Sequence, residues 1–124
     1  MKSIEQMAIF AARLLDEKKA QDILLLDVHE MTVITDYMLI CSGRSVPQVK
    51  ALCEHLDEKL AEQGFEPRRK EGAGDGRWIV LDYDSVMIHI FHEQDRAYYQ
   101  LERLWSDGTN GVAFESAAQE EDGL

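Results

Sequence analysis

Cysteine, proline and positive charge are all scarce in this chain, and each shortage excludes something. The 124 residues include only two cysteines, Cys41 and Cys53, with no C-x-x-C spacing between them. A disulfide framework and a thiolate metal site both fall away, and the two thiols are expected to be reduced and partly buried. Two prolines rule out a proline-rich linker. No apolar run approaches the roughly 18 residues that a membrane-crossing helix needs. The opening MKSIEQMAIF has no secretory or transit pattern and runs straight into an amphipathic segment, so a cytoplasmic protein is expected. Basic residues number 13 against 24 acidic ones, a net charge of −11. The densest basic cluster, Arg68-Arg69-Lys70, is followed at once by Glu71, so nucleic acid is not expected as the main contact. A basic protein suits the acidic field, because opposite charge speeds encounter and fixes orientation, although acidity also serves solubility by itself.

What is present reads as one α/β domain. Ser3-Ile4-Glu5-Gln6 forms a capping box, and Ile4, Met7, Ala8, Ala11, Leu14 and Leu15 recur at helical spacing, predicting a helix over 4–19. Residues 22–28 (DILLLDV) and 36–41 (DYMLIC) are short buried strands, separated by HEMTVIT, a turn with an extended piece. Ser45 and Gln48 make a second capping box with Pro47 in the first turn. The stripe Val46, Val49, Leu52, Cys53, Leu56 and Leu60 defines a helix that Gly64 ends. Residues 65–70 are a charged edge strand, EGAGDG is a loop, 77–91 is a hairpin, and DRAYYQLERLW is a short helix. From 107 onward small and acidic residues take over, and 107–124 is expected to be a mobile tail beyond a domain of residues 1–106. Strands mixed with crossing helices imply a single mixed β-sheet with flanking helices.

Candidate chemistry is sparse. Asp82 and Asp84 lie two apart at a strand end, a spacing used by metal-dependent nucleotidyl-transfer enzymes to hold magnesium. Asp84-Ser85 also stands where a tight hairpin needs turn residues, and the turn reading is preferred, with the enzyme as the alternative. His89 and His92, three apart on a strand, point to opposite faces and have no partner at metal-ligand spacing. Cys41, Ser42 and Ser45 have no matched base, G-x-S-x-G is absent, and the loop EGAGDG is too acidic to cradle phosphate. No catalytic residue, metal or cofactor is assigned.

With Asp84-Ser85 as the turn, Tyr83 pairs with Val86, Leu81 with Ile88 and Ile79 with Ile90, an apolar face that belongs to the core. The other face sets Trp78 across from Phe91, Val80 from His89 and Asp82 from Met87. Large apolar residues mixed with an acid and a histidine suit either a face covered by a helix or a docking surface.

TDYMLICSG at 35–43, VKALCEHLDEKL at 49–60, GRWIVLDYDSVMIHIF at 76–91 and YYQLERLW at 98–105 together resemble the ribosomal silencing factor (RsfS, Iojap-like) family over residues 3–106. The family usually has glycine at the position of Asp84. The resemblance implies a nucleotidyltransferase-like fold without catalytic acids. It further implies binding to the large ribosomal subunit through its L-fourteen protein, a block on joining of the small subunit when nutrients are short, and a homodimer when free. Expected partner-binding residues are Trp78, Val80, Tyr83, Met87, His89 and Phe91 on the hairpin, with Tyr98, Leu101 and Trp105 after it. Of these, Tyr83 falls on the core face in the register above.

Overall fold

A computed structural model describes residues 3–114. In chain order the elements are α1 (Ile4–Glu17), β1 (Gln21–Asp27), β2 (Tyr37–Gly43), α2 (Val46–Glu62), β3 (Arg69–Glu71), β4 (Trp78–Asp82), β5 (Val86–His92), α3 (Glu93–Tyr99) and α4 (Glu102–Trp105). Both capping residues act as expected: Ser3 Oγ accepts from Gln6 N at 3.1 Å and Ser45 Oγ from Gln48 N at 3.2 Å. Each satisfies one of the amide donors that a helix start leaves unpaired.

The five strands form one mixed sheet in the order β1-β2-β5-β4-β3, with β2 and β5 parallel and the other pairs antiparallel. A parallel pair needs a long crossover, and α2 with β3 and β4 provides it. Helices α1 and α2 cover one face, where Leu25, Leu39, Cys41, Ile79, Leu81, Ile88 and Ile90 meet Ala8, Leu15, Leu52 and Leu56. Cys41 is wholly buried and its thiol is pushed up to about 12 by that burial, so both its position and its protonation make it a packing residue. Ile88→Val, which deletes one methyl from this layer, is expected to cost about 0.5–1.5 kcal/mol in urea unfolding. The opposite face carries a smaller cluster, Leu26, Val28, Met38, Ile40 and Phe91, flanked by the partly buried Trp78, Met87, Leu101 and Trp105.

Three expectations need correction. The edge strand covers Arg69–Glu71 rather than 65–70, because Phe65 turns inward against the helix-covered core. The helix over DRAYYQLERLW is two pieces: Gln100 adopts a left-handed conformation (φ +50), its N–H closing α3 on Arg96 O. That break turns Leu101 and Trp105 onto the second face of the sheet while leaving Tyr98 and Tyr99 outside. Finally, residues 107–114 do not behave as the start of a tail. Asn110 O accepts from Asp27 N at 2.9 Å, Val112 N donates to Leu25 O at 2.8 Å, and Val112 and Phe114 pack against the core. The remainder of the expected tail, 115–124, lies outside the described residues, as do residues 1 and 2.

Candidate docking face

The hairpin register is the one the turn chemistry demanded: Trp78 opposite Phe91, Ile79 opposite Ile90, Val80 opposite His89, Leu81 opposite Ile88 and Asp82 opposite Met87. Since side chains alternate along a strand, this places Trp78, Val80, Met87, His89 and Phe91 on the face away from α1 and α2. Trp78 is the hub of that face. Its ring stacks on Phe91 with centroids 4.7 Å apart and meets Tyr99 at 4.9 Å, while Tyr98 stands edge-on to Tyr99 at 5.0 Å. Gly72, in the loop before β4, has φ +82, and a Cβ there would lie 2.0 Å from the Trp78 carbonyl oxygen. Only glycine lets this loop pass so close to the tryptophan backbone.

Trp78 Nε1–H donates to His89 Nδ1 at 3.0 Å. An indole nitrogen can only donate, so the imidazole proton must sit on Nε2, which is buried and has no hydrogen-bond partner. Burial pushes the His89 pKa down to about 4 from an ordinary 6.5. The folded imidazole therefore stays neutral where an unfolded one has already taken a proton. Stability contributed by neutral His89 is complete above pH 6.5 and is lost as pH falls towards 4. The loss amounts to about 2–3 kcal/mol. Urea unfolding of the wild type and of His89→Gln at pH 7 and 4.5 tests this: the variant's additional sensitivity to acid should be smaller.

The structure divides the nine expected contact residues. Phe91 is completely buried and His89 nearly so, which places both beneath the surface of the face. Tyr83 lies on the opposite side, as the register indicated, and lines a groove of about 550 Å³ with Ile4, Met7, Phe65 and Val86. Trp78, Val80, Met87, Leu101 and Trp105 are half-buried, whereas Tyr98 is 80% exposed. Two residues were missed: Tyr99 and Leu104, at 51% and 69% exposure, are large apolar groups on the same two short helices. The adjacent tyrosines and the L-x-x-L-W spacing were the available signals. What this face offers is a rigid aromatic patch edged by flexible aliphatic groups, and such patches bind by burial without chemistry.

The two aspartates have structural partners. Asp82 is buried; its Oδ1 accepts from Asp84 N at 2.8 Å and its Oδ2 lies 3.4 Å from Arg69. Asp84 Oδ1 accepts from Arg68 at 2.6 Å. Asp84 has φ +74, and Ser85 N donates to Tyr83 O across it, a three-residue turn of the strained hand. Among the described residues, no cluster of three or more His, Cys, Asp or Glu has metal-holding geometry. Asp84→Gly would relieve the positive φ and remove an exposed ion pair worth about 0–1 kcal/mol. The melting temperature is expected to move by no more than about 2 °C in either direction.

Comparison with known proteins shows what this chain is similar to. The family model described as "Ribosomal silencing factor during starvation" matches residues 1–123. The ribosomal silencing factor RsfS of Bacillus subtilis is 40% identical over 97 residues, covering 78% of this chain and 82% of that protein. Its counterpart in Halalkalibacterium halodurans is 39% identical over 105 residues, covering 85% of this chain and 90% of the other. A crystal structure of a Chromobacterium violaceum protein superposes with a TM-score of 0.82 at 30% identity, covering 95% of this chain and 98% of that one.

Proposed function

This chain belongs to the ribosomal silencing factor family, and from that premise we propose that it binds the large ribosomal subunit through its L-fourteen protein and blocks association with the small subunit. The observation that carries the proposal is the Trp78–Tyr99–Phe91 stack, carried by β4, β5 and α3 and bordered by the exposed Tyr98. An aromatic patch on a chain of net charge −11 suits a basic ribosomal protein. A domain of this size can bury a standard interface of about 1,600 Å². Occupying the intersubunit face then excludes the small subunit sterically, with no catalysis, metal or cofactor. We place this activity in the cytoplasm, under nutrient limitation, with the free chain as a homodimer.

Two measurements test the proposal. Purified large subunits should carry the protein down on sedimentation while small subunits should not, and light scattering should show subunit joining suppressed in proportion to the protein bound. Normal joining at saturating protein, or equal binding to both subunits, would overturn it. A magnesium-dependent nucleotidyl transfer lost in Asp82→Asn would point instead to the enzyme alternative.

A further inference from the structure

The loop between β1 and β2 carries three large apolar side chains that stand exposed to different degrees. Val33 is fully exposed at 104%, Ile34 is 63% exposed and Met31 44%. Isolated surface aliphatics are ordinary, but three within four residues of a connecting loop are not, since loops favour polar groups.

The loop is held in place. Met31 N and Thr32 N both donate to Val28 O, at 2.9 and 3.2 Å, and Ile34 N donates to Thr32 Oγ1 at 3.1 Å. Asp36 N reaches across to Ser85 O at 3.0 Å, which ties the loop to the β4–β5 turn. On the other flank Asn110 Nδ2 bonds Asp27 O at 3.0 Å and lies 3.6 Å from Met31 Sδ. Two β-branched tips, stiff at χ1, are thus presented on a fixed backbone, so docking them costs little ordering entropy.

The rim gives the sign of the partner. Asp27 ends β1, and Glu30 and Asp36 lie in the same loop as the tips. His29 lies among them, hydrogen-bonded to Asp27, and that bond raises its pKa. One imidazole, even when charged, does not cancel three carboxylates, so the formal charge of the rim is negative. Pairing of this loop with the same loop of a second copy would set like charges against each other, and an anionic membrane would be repelled.

We propose that the β1–β2 loop is a second contact point, in which Val33 and Ile34 enter an apolar notch on a basic protein while Asp27, Glu30 and Asp36 face its lysines and arginines. The inference rests on the docking function above and adds to it a surface separate from the Trp78 patch. Two-point attachment would fix the orientation of the domain on its partner as well as its affinity.

The test is the double variant Val33→Ser/Ile34→Ser in the full chain. Both side chains are exposed, so the melting temperature should match wild type, while affinity for purified large subunits should fall about tenfold. Unchanged affinity would overturn the inference, as would a matching loss of melting temperature. A photo-crosslinking residue in place of Val33 supplies an independent arm, expected to join a basic protein of the bound subunit. Adducts to a second copy of this chain, or insertion into anionic phosphatidylserine vesicles, would replace the proposed partner and overturn it. If the unaltered chain fails to bind large subunits, the docking function falls by itself. The loop inference then falls too, unless in intact cells the position-33 probe joins one identified basic protein and loses it when Ile34 is serine.

Discussion

Trp78→Ala is expected to weaken binding to large subunits about thirtyfold or more, the loss of an anchor worth about 2 kcal/mol. It should also lower stability, because the side chain is neither fully core nor fully surface. Half-buried, it covers the fully buried Phe91, fills the space against Tyr99 and donates its indole N–H to His89. Truncation therefore opens a cavity above Phe91 and leaves His89 Nδ1 without its donor, at a combined cost of about 2–4 kcal/mol. Two further variants separate binding from folding. Trp78→Phe keeps an aromatic ring over Phe91 but loses the hydrogen bond, and should recover most of the stability. Tyr98→Ala removes an exposed ring and should weaken binding with little effect on the melting temperature. Binding by Trp78→Ala that equals wild type under conditions where the variant is folded would take the patch out of the docking site.

The hairpin was legible from sequence because its turn and its alternation agree. Asp84-Ser85 fixed the register, and the register assigned every residue from Trp78 to Phe91 to a face that the structure reproduces. The helices were equally legible, since both begin at Ser-x-x-Gln capping boxes and carry uninterrupted apolar stripes. Which residues on the second face reach solvent was not legible. Alternation gives a side of the sheet and says nothing of depth, so Phe91 and Trp78 look equivalent until Tyr99 and the short helices are placed over them. The break at Gln100 was invisible for a related reason: the preference for turning Leu101 and Trp105 onto the sheet is tertiary, and no glycine or proline announces it. The aspartate pair, whose spacing alone suggests a site, was read as turn chemistry, and in the fold both carboxylates lie against neighbouring arginines.

Removing everything after Ser106 is expected to destabilise the protein. Composition places 107–114 with the acidic tail, but the fold uses the segment to close the outer edge of β1. Asn110 is the clasp: its Nδ2 donates to Asp27 O at 3.0 Å and to Trp105 O at 2.8 Å, joining the edge strand to the end of α4. Gly111 then bridges Leu26, and the alternation of Val112 and Phe114 puts both apolar side chains against the helix-covered core. Each backbone bond contributes about 0.5–1.5 kcal/mol and each half-buried side chain a similar amount, while ordering eight residues offsets much of the total. A net loss of about 2–3 kcal/mol follows, equivalent to a fall in melting temperature of about 10 °C for a domain of this size. A second consequence distinguishes this from simple loss of contacts. Without the strap β1 becomes an open edge whose amides and carbonyls can pair with another chain, so the version ending at Ser106 should aggregate on mild heating. Asn110→Ala isolates the clasp and should account for about 1–2 kcal/mol of the effect. A chain ending at Ser106 that melts with the full-length protein and does not aggregate would show that the segment merely rests on β1.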